Sequence, residues 1–159
     1  MRTGKREKDR RADGENRLLP PVFFEIALIL LVAFHFAVPS ARIVHFPYRW
    51  GGVVCIVLGI TINLWADRLF KKEQTTVKPN ERPAVLVTSG PFRFSRHPMY
   101  WGMTLILLGA AVLSGSLCSF LFPILFMIVM LKAFIPLEEK NLEDAFGQEY
   151  VNYRNRVRF

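Results

Sequence analysis

The sequence predicts an all-α fold: a polytopic membrane helix bundle of about four transmembrane helices with a cytosolic C-terminal helical tail. Two observations carry this reading. Apolar residues make up 52% of the chain and its formal charge is +8, yet the two features alternate in blocks instead of mixing as in a soluble globule. The basic blocks also recur after every second apolar run, as Lys and Arg do on the cytoplasmic side of a membrane. At 159 residues, the chain has the length of one domain.

Residues 1–19 carry charges of both signs and no apolar run, so we expect a disordered basic cytosolic arm. The remainder, 20–159, reads as one membrane domain. Its first span, 22–38, opens at Pro20-Pro21, where a fixed φ suits a helix start, and ends at Pro39. It is near the lower limit of the ~20 residues that cross a bilayer. It lacks a small-residue cleavage site, which points to a retained helix rather than a signal peptide. Glu25, one turn in, is expected to snorkel to the interface, and His35 to face the opposite one.

A polar link, 40–49, leads through His45 and Tyr48 to Trp50, residues suited to an interfacial belt. The second span, 51–66, has Gly52 and Gly59 seven apart on one face, where they permit close helix packing; Asn63 is a candidate for bonding to a neighbouring helix. Residues 67–98 contain Pro79, Pro83, Pro91 and Pro98, so they cannot be one helix, and a connection this long usually has a job. The third span, 98–113, repeats the spacing with Gly102 and Gly109. After a turn at Ser114-Gly115-Ser116 the fourth, 117–135, is expected to stop at Pro136. In the tail, 137–159, Leu142, Phe146, Tyr150 and Tyr153 share a helical stripe, and Gly147 is expected to divide it into two short helices.

Lys plus Arg number seven in the arm, two in the first link, seven in 67–98, none in the 114–116 turn and five from Lys132 onward. That alternation predicts an integral membrane protein with both termini cytoplasmic, and we expect a bacterial inner membrane. The same basic excess lacks the readout residues of a nucleic-acid binder, so the expected partner is the lipid bilayer and not nucleic acid. Cys55 and Cys118 sit in apolar runs without a CxxC or a neighbouring His, so we expect neither a disulfide nor a metal site.

Two clusters carry chemistry. The first runs Gly90-Pro91-Phe92-Arg93-Phe94-Ser95-Arg96-His97-Pro98-Met99-Tyr100-Trp101-Gly102. It sets Arg96, His97 and Tyr100 at the mouth of a helix that begins at Pro98, whose free N–H groups favour an anion. Gly102 lets another group approach that helix. The second cluster begins at Glu138-Glu139 and continues through Leu142, Phe146-Gly147-Gln148-Glu149-Tyr150 and Tyr153. Its carboxylates suit a hydroxyl or an ammonium ligand. Taken singly, each cluster is explained more readily by interfacial anchoring or by compensation of a helix dipole.

Together, in this order and with a helical hairpin between them, the clusters resemble the isoprenylcysteine carboxyl methyltransferase family and its phospholipid methyltransferase relatives. The resemblance covers roughly residues 76–158. It implies S-adenosyl-L-methionine as cofactor, held between the loop before the third span, the His-Pro-x-Tyr turn and the tail, with 76–98 as the cofactor loop. It implies that Ala84, Val85, Leu86 and Val87 line the pocket and that Phe92 replaces an aromatic residue, usually Tyr, that contacts the cofactor. It further implies that His97, Pro98, Met99 and Tyr100 hold the cofactor, with Gly102 beside them, and that Glu138 binds one of its polar groups. His97, Arg96 and Glu139 become the candidate catalytic residues. The acceptor is expected to be a lipophilic small molecule or a lipid-modified substrate. Family members that act on prenylated cysteine carry an Arg one turn before the first Glu; here that position is Phe134, which points to a less charged or differently held acceptor. Two alternatives remain at this stage: an NADPH-dependent membrane reductase of the sterol type, whose motifs usually have Asn-Tyr where this chain has His97-Pro98-x-Tyr100, and a small non-catalytic membrane subunit.

Overall fold

In a computed structural model, residues 19–37, 44–73 and 85–157 are described. The basic arm up to residue 18, Pro39, Pro79, Pro83 and Ala84 lie outside them. Among the described residues every regular element is helical: α1 (Pro20–Ala37), α2 (Trp50–Lys72), a 3₁₀ turn (Gly90–Arg93), α3 (Pro98–Ser114), a second 3₁₀ turn (Leu117–Phe120), α4 (Leu121–Val129), a π-turn (Met130–Phe134), α5 (Ile135–Phe146) and α6 (Gln148–Arg156). Gly147, with φ +54°, separates α5 from α6 as expected.

Three helical stretches are long and apolar enough to cross a membrane: Pro20–Ala37, Trp50–Lys72 and Leu117–Phe146. The expected third span, α3, is apolar but has only 17 residues. Large apolar side chains such as Ile29, Phe36, Val54, Leu121 and Ile124 stand on the outside of the bundle. Burying such side chains in lipid is favourable by roughly 1.5–3 kcal/mol each, so the bilayer completes the core.

α2 and α3 run together along the two glycine pairs. A Cβ on Gly52 would meet the Gly109 carbonyl oxygen at 2.5 Å, and a Cβ on Gly59 would meet that of Gly102 at 2.5 Å. The backbones therefore touch directly, which only glycine allows. Asn63 lies against Gly102 at the end of this contact. α1 packs on α3 and α4 instead. Phe23, Phe24, Ala27 and Leu28 cover Tyr100, Leu107, Phe126 and Met130, with Phe24 edge-on to Phe126 at 6.2 Å.

Two boundaries differ from expectation. α2 continues past residue 66 to Lys72, through a polar turn held by an Asp67–Lys71 ion pair of 2.7 Å at i,i+4 spacing. The fourth helix does not stop at Pro136. Proline lacks an N–H and crowds the carbonyl four residues back, but here the preceding turn is π, and the Ile135 N–H reaches the Met130 oxygen five residues back. The widened turn accommodates the ring, and α5 proceeds with Pro136 in its first turn. On the far side of the bundle, Gly115 closes α3 with φ +71°. The Arg49 guanidinium donates to the Ser114 oxygen at 2.8 Å, placing a cation on the negative end of that helix.

Candidate active site

The site forms where α3 begins and α5 passes over it. Pro98 opens α3, so the carbonyl of His97 accepts the first helical bond, from the Tyr100 N–H at 3.2 Å. The His97 N–H donates to Ser95 Oγ at 3.2 Å, which holds the residue in its non-helical conformation. Its ring stacks on Tyr100, centroids 5.8 Å apart, and its side chain is only 3% exposed.

The π-turn and first turn of α5 bring Glu138 and Glu139 onto this buried ring. Glu139 Oε1 lies 3.2 Å from His97 Nε2 and 2.7 Å from the Arg96 guanidinium. Glu138 accepts a hydrogen bond from the Tyr100 hydroxyl at 2.9 Å and stands 3.5 Å from His97 Nδ1. That Nδ1 is buried without a hydrogen-bond partner among the described residues. The arrangement is thus an imidazole between two carboxylates, one tied to a guanidinium and the other to a phenol.

A cavity of about 140 Å³ adjoins it. Arg96, His97 and Glu138 form its polar end, Phe92, Pro98, Met99, Tyr100 and Met103 its apolar side. Leu19, Pro20 and Pro21 at the start of α1 and Phe70 near the end of α2 close it. Of the residues singled out in the sequence, Phe92, Arg96, His97, Pro98, Met99, Tyr100 and Glu138 meet around this cavity, and Glu139 stands behind Arg96 and His97. The described loop residues lie elsewhere. Val87 is buried with Ala66 and Phe92, Leu86 packs against Tyr150, Tyr153 and Val157, and Val85 is exposed. Gly102 faces α2. The contributions of Leu19, Pro20, Pro21, Phe70 and Met103 went unnoticed in the sequence. Pro20-Pro21 signalled a helix start only, and Phe70 fell beyond the expected end of its span.

The tail completes the site from above. The Tyr153 hydroxyl donates to the Phe92 oxygen at 2.7 Å. Burial, then the Glu139 carboxylate nearby, pushes the Tyr150 hydroxyl up to about 12, against the opposing pull of Arg96. Burial raises Tyr153 as well.

A helical membrane protein whose histidine, arginine and paired glutamates meet at the mouth of a helix fits the methyltransferase resemblance. A family model described as phospholipid methyltransferase matches residues 47–149. The chain belongs to the phospholipid methyltransferase family. Protein-S-isoprenylcysteine O-methyltransferase B of Arabidopsis thaliana is 31% identical over 148 residues, covering 80% of this chain and 74% of the relative. Protein-S-isoprenylcysteine O-methyltransferase of Saccharomyces cerevisiae is 30% identical over 148 residues, 84% of this chain and 58% of the relative. That of Schizosaccharomyces pombe is 40% identical over 76 residues, 46% of this chain and 31% of the relative. No solved structure matches. An integral membrane methyltransferase is therefore the enzyme class, ahead of the nicotinamide-dependent reductase and the non-catalytic subunit.

Proposed function

We propose that this methyltransferase moves the S-methyl group of S-adenosyl-L-methionine to a lipophilic acceptor that enters sideways from the bilayer. One observation supports the reading most: the charged cluster closes one end of a cavity whose other walls are apolar and come from the ends of α1, α2 and α3. The residues suit the donor. Its amino-acid end carries an ammonium and a carboxylate, and the cluster offers Glu138 for the first and Arg96 for the second. Nδ1 of His97 stands 3.5 Å from Glu138 and makes no hydrogen bond among the described residues. Phe92, Pro98, Met99 and Tyr100 offer apolar contact. We propose that the loop 84–87, whose Val87 packs on the cavity residue Phe92, borders the same site, while Gly102, set against Asn63, seats α3 on α2.

When bound, the donor supplies an electrophilic methyl group on a positive sulfur. The protein's part is to align the two partners and to exclude water. Arg96, held by Glu139, fixes the polar end. His97, held between Glu138 and Glu139, accepts a proton at Nδ1 if the acceptor is an amine or a hydroxyl; a carboxylate acceptor needs no base.

α1 packs on α3 and α4 while α2 packs on α3, so Met99 and Met103 face the space between the ends of α1 and α2. That supports lateral entry. We read α3 as a fourth crossing, with both termini and the tail on the cytoplasmic side of a bacterial inner membrane. The relatives' names specify protein S-isoprenylcysteine. Here Phe134, one turn before Glu138, is edge-on to Phe23 at 5.3 Å, so an aromatic contact occupies the place where a guanidinium would hold a carboxylate. We therefore propose an acceptor less charged than a free prenylcysteine.

Calorimetry of S-adenosyl-L-methionine with detergent-purified protein tests the reading, with His97→Ala and Glu138→Ala alongside. Saturable binding that both substitutions abolish is expected. A well-folded wild type that binds no donor overturns it, and methylation confined to fully water-soluble acceptors overturns lateral entry.

A further inference from the structure

Phe92 is the aromatic wall of the cavity beside His97, yet its own segment does little to place it. It sits in a four-residue 3₁₀ turn whose preceding residue, Ser89, makes no capping bond through its side chain. Local support comes from the Phe92 N–H to the Ser89 oxygen at 3.2 Å and the Phe94 N–H to the Pro91 oxygen at 3.1 Å. So short a turn is not stable alone.

Two distant elements fix it. The Phe70 ring of α2 meets the Phe92 ring edge-on at 5.1 Å. From the other side, the Tyr153 hydroxyl of α6 donates to the Phe92 carbonyl at 2.7 Å, with both residues 7% exposed. A buried carbonyl needs a partner, and this one is supplied by a residue 61 positions away. Tyr153 is itself wedged among Tyr150, Val157, Leu86, Leu142 and Phe146, so its hydroxyl is held firmly.

We propose that Tyr153 is a positioning residue for the methyl donor: the tail clasps the 3₁₀ turn through this one bond and so sets Phe92 against the bound donor. This rests on the assignment of the cavity to S-adenosyl-L-methionine. Tyr153 lines no part of the cavity and touches no reacting atom; it acts through Phe92. Removing its hydroxyl frees the turn to leave the position in which the cavity is complete, and each binding event must then restore it.

The test is Tyr153→Phe, which keeps the ring and its packing. Calorimetry with S-adenosyl-L-methionine should show donor affinity falling roughly three- to tenfold at unchanged stoichiometry, the size expected of one lost buried hydrogen bond. A merely structural role would lower the binding-competent fraction, hence the stoichiometry, and leave the affinity of the remainder intact. Arg154→Gln, which breaks only the Arg154–Glu143 pair of 2.8 Å between α6 and α5, should leave affinity unchanged. Leu142→Ala, which loosens the seat of the Tyr153 ring and lines no part of the cavity, should weaken binding in the same sense, and it decides the matter if Tyr153→Phe fails to fold. Unaltered affinity in folded Tyr153→Phe, or in Leu142→Ala where that variant decides, refutes the clasp. Absence of binding in wild type refutes instead the donor assignment on which the clasp depends.

Discussion

Gly51 and Gly52 are adjacent in the first turn of α2, and their replacement by alanine should have opposite effects. A Cβ on Gly51 meets nothing within 4 Å, whereas one on Gly52 meets the Gly109 oxygen at 2.5 Å and the Leu113 Cγ at 2.8 Å. Both substitutions gain up to about 1 kcal/mol because alanine loses less backbone freedom on folding. Only Gly52→Ala forces a carbon into a neighbouring backbone. A carbonyl oxygen cannot rotate away like a side-chain tip, so α2 and α3 must separate. The second glycine contact, at Gly59 and Gly102, lies seven residues or about 10 Å along the helix, and it resists that separation. Overpacking of this kind is destabilising by about 1–3 kcal/mol, and the lost close contact adds to it. Gly51→Ala should thus melt at or slightly above wild type, and Gly52→Ala several degrees below it, at about 2–4 °C per kcal/mol for a chain of this size. Thermal melting in detergent, followed by circular dichroism, measures both. Equal melting temperatures for the two variants would refute the direct backbone contact.

Glu139→Gln removes the charge shared by Arg96 and His97, and methyl transfer should fall by roughly 10²-fold while the fold survives; radiolabelled methyl transfer to membrane lipid extracts measures it. Arg49→Ala removes the cation from the end of α3 that lies some 25 Å from His97, so melting should fall by the equivalent of about 1–2 kcal/mol with donor affinity unchanged in calorimetry. Tyr150 ionises near 10 when unfolded and at about 12 in the fold, so its contribution is complete below pH 10 and is lost between pH 10 and 12. Melting temperatures should fall across that window, and less steeply in Tyr150→Phe.

What the sequence revealed and what it concealed separate along physical lines. The glycine spacing was readable because a missing Cβ at a seven-residue interval has one structural use, the close approach of a second helix. Gly115 and Gly147 were readable for a related reason: a helix end favours a positive φ. His97, Arg96 and the two glutamates stood out only as a pair of ordered motifs around a helical hairpin, since ionisable and aromatic groups at a helix mouth are common anchors when met singly. Phe70, Met103 and the first residues of α1 carry no such mark. They are apolar residues in apolar or boundary segments, and only the packing of three helix ends gives them a common cavity. The Tyr153–Phe92 bond is likewise tertiary, since a tyrosine on an amphipathic stripe looks the same whether or not its hydroxyl has a partner.

Pro136 shows how a sound local rule led to a wrong boundary and concealed a feature of the site. Proline ends a helix when its missing N–H and its ring meet an α-helical turn. The rule fails where the turn before it is π, because the carbonyl it would crowd is displaced and the helix runs on. The consequence reaches the chemistry. Glu138 and Glu139 follow Pro136 within one turn, and an added residue per turn rotates everything beyond it about the helix axis relative to a regular α-helix. With the π-turn, the two carboxylates face His97 and Tyr100. In an unbroken α-helix through Met130–Phe134, the same residues would point along a different face. The proline therefore does not separate the apolar helix from the charged tail. Together with the π-turn it joins them, and the joint sets the angle at which the acidic pair meets the histidine.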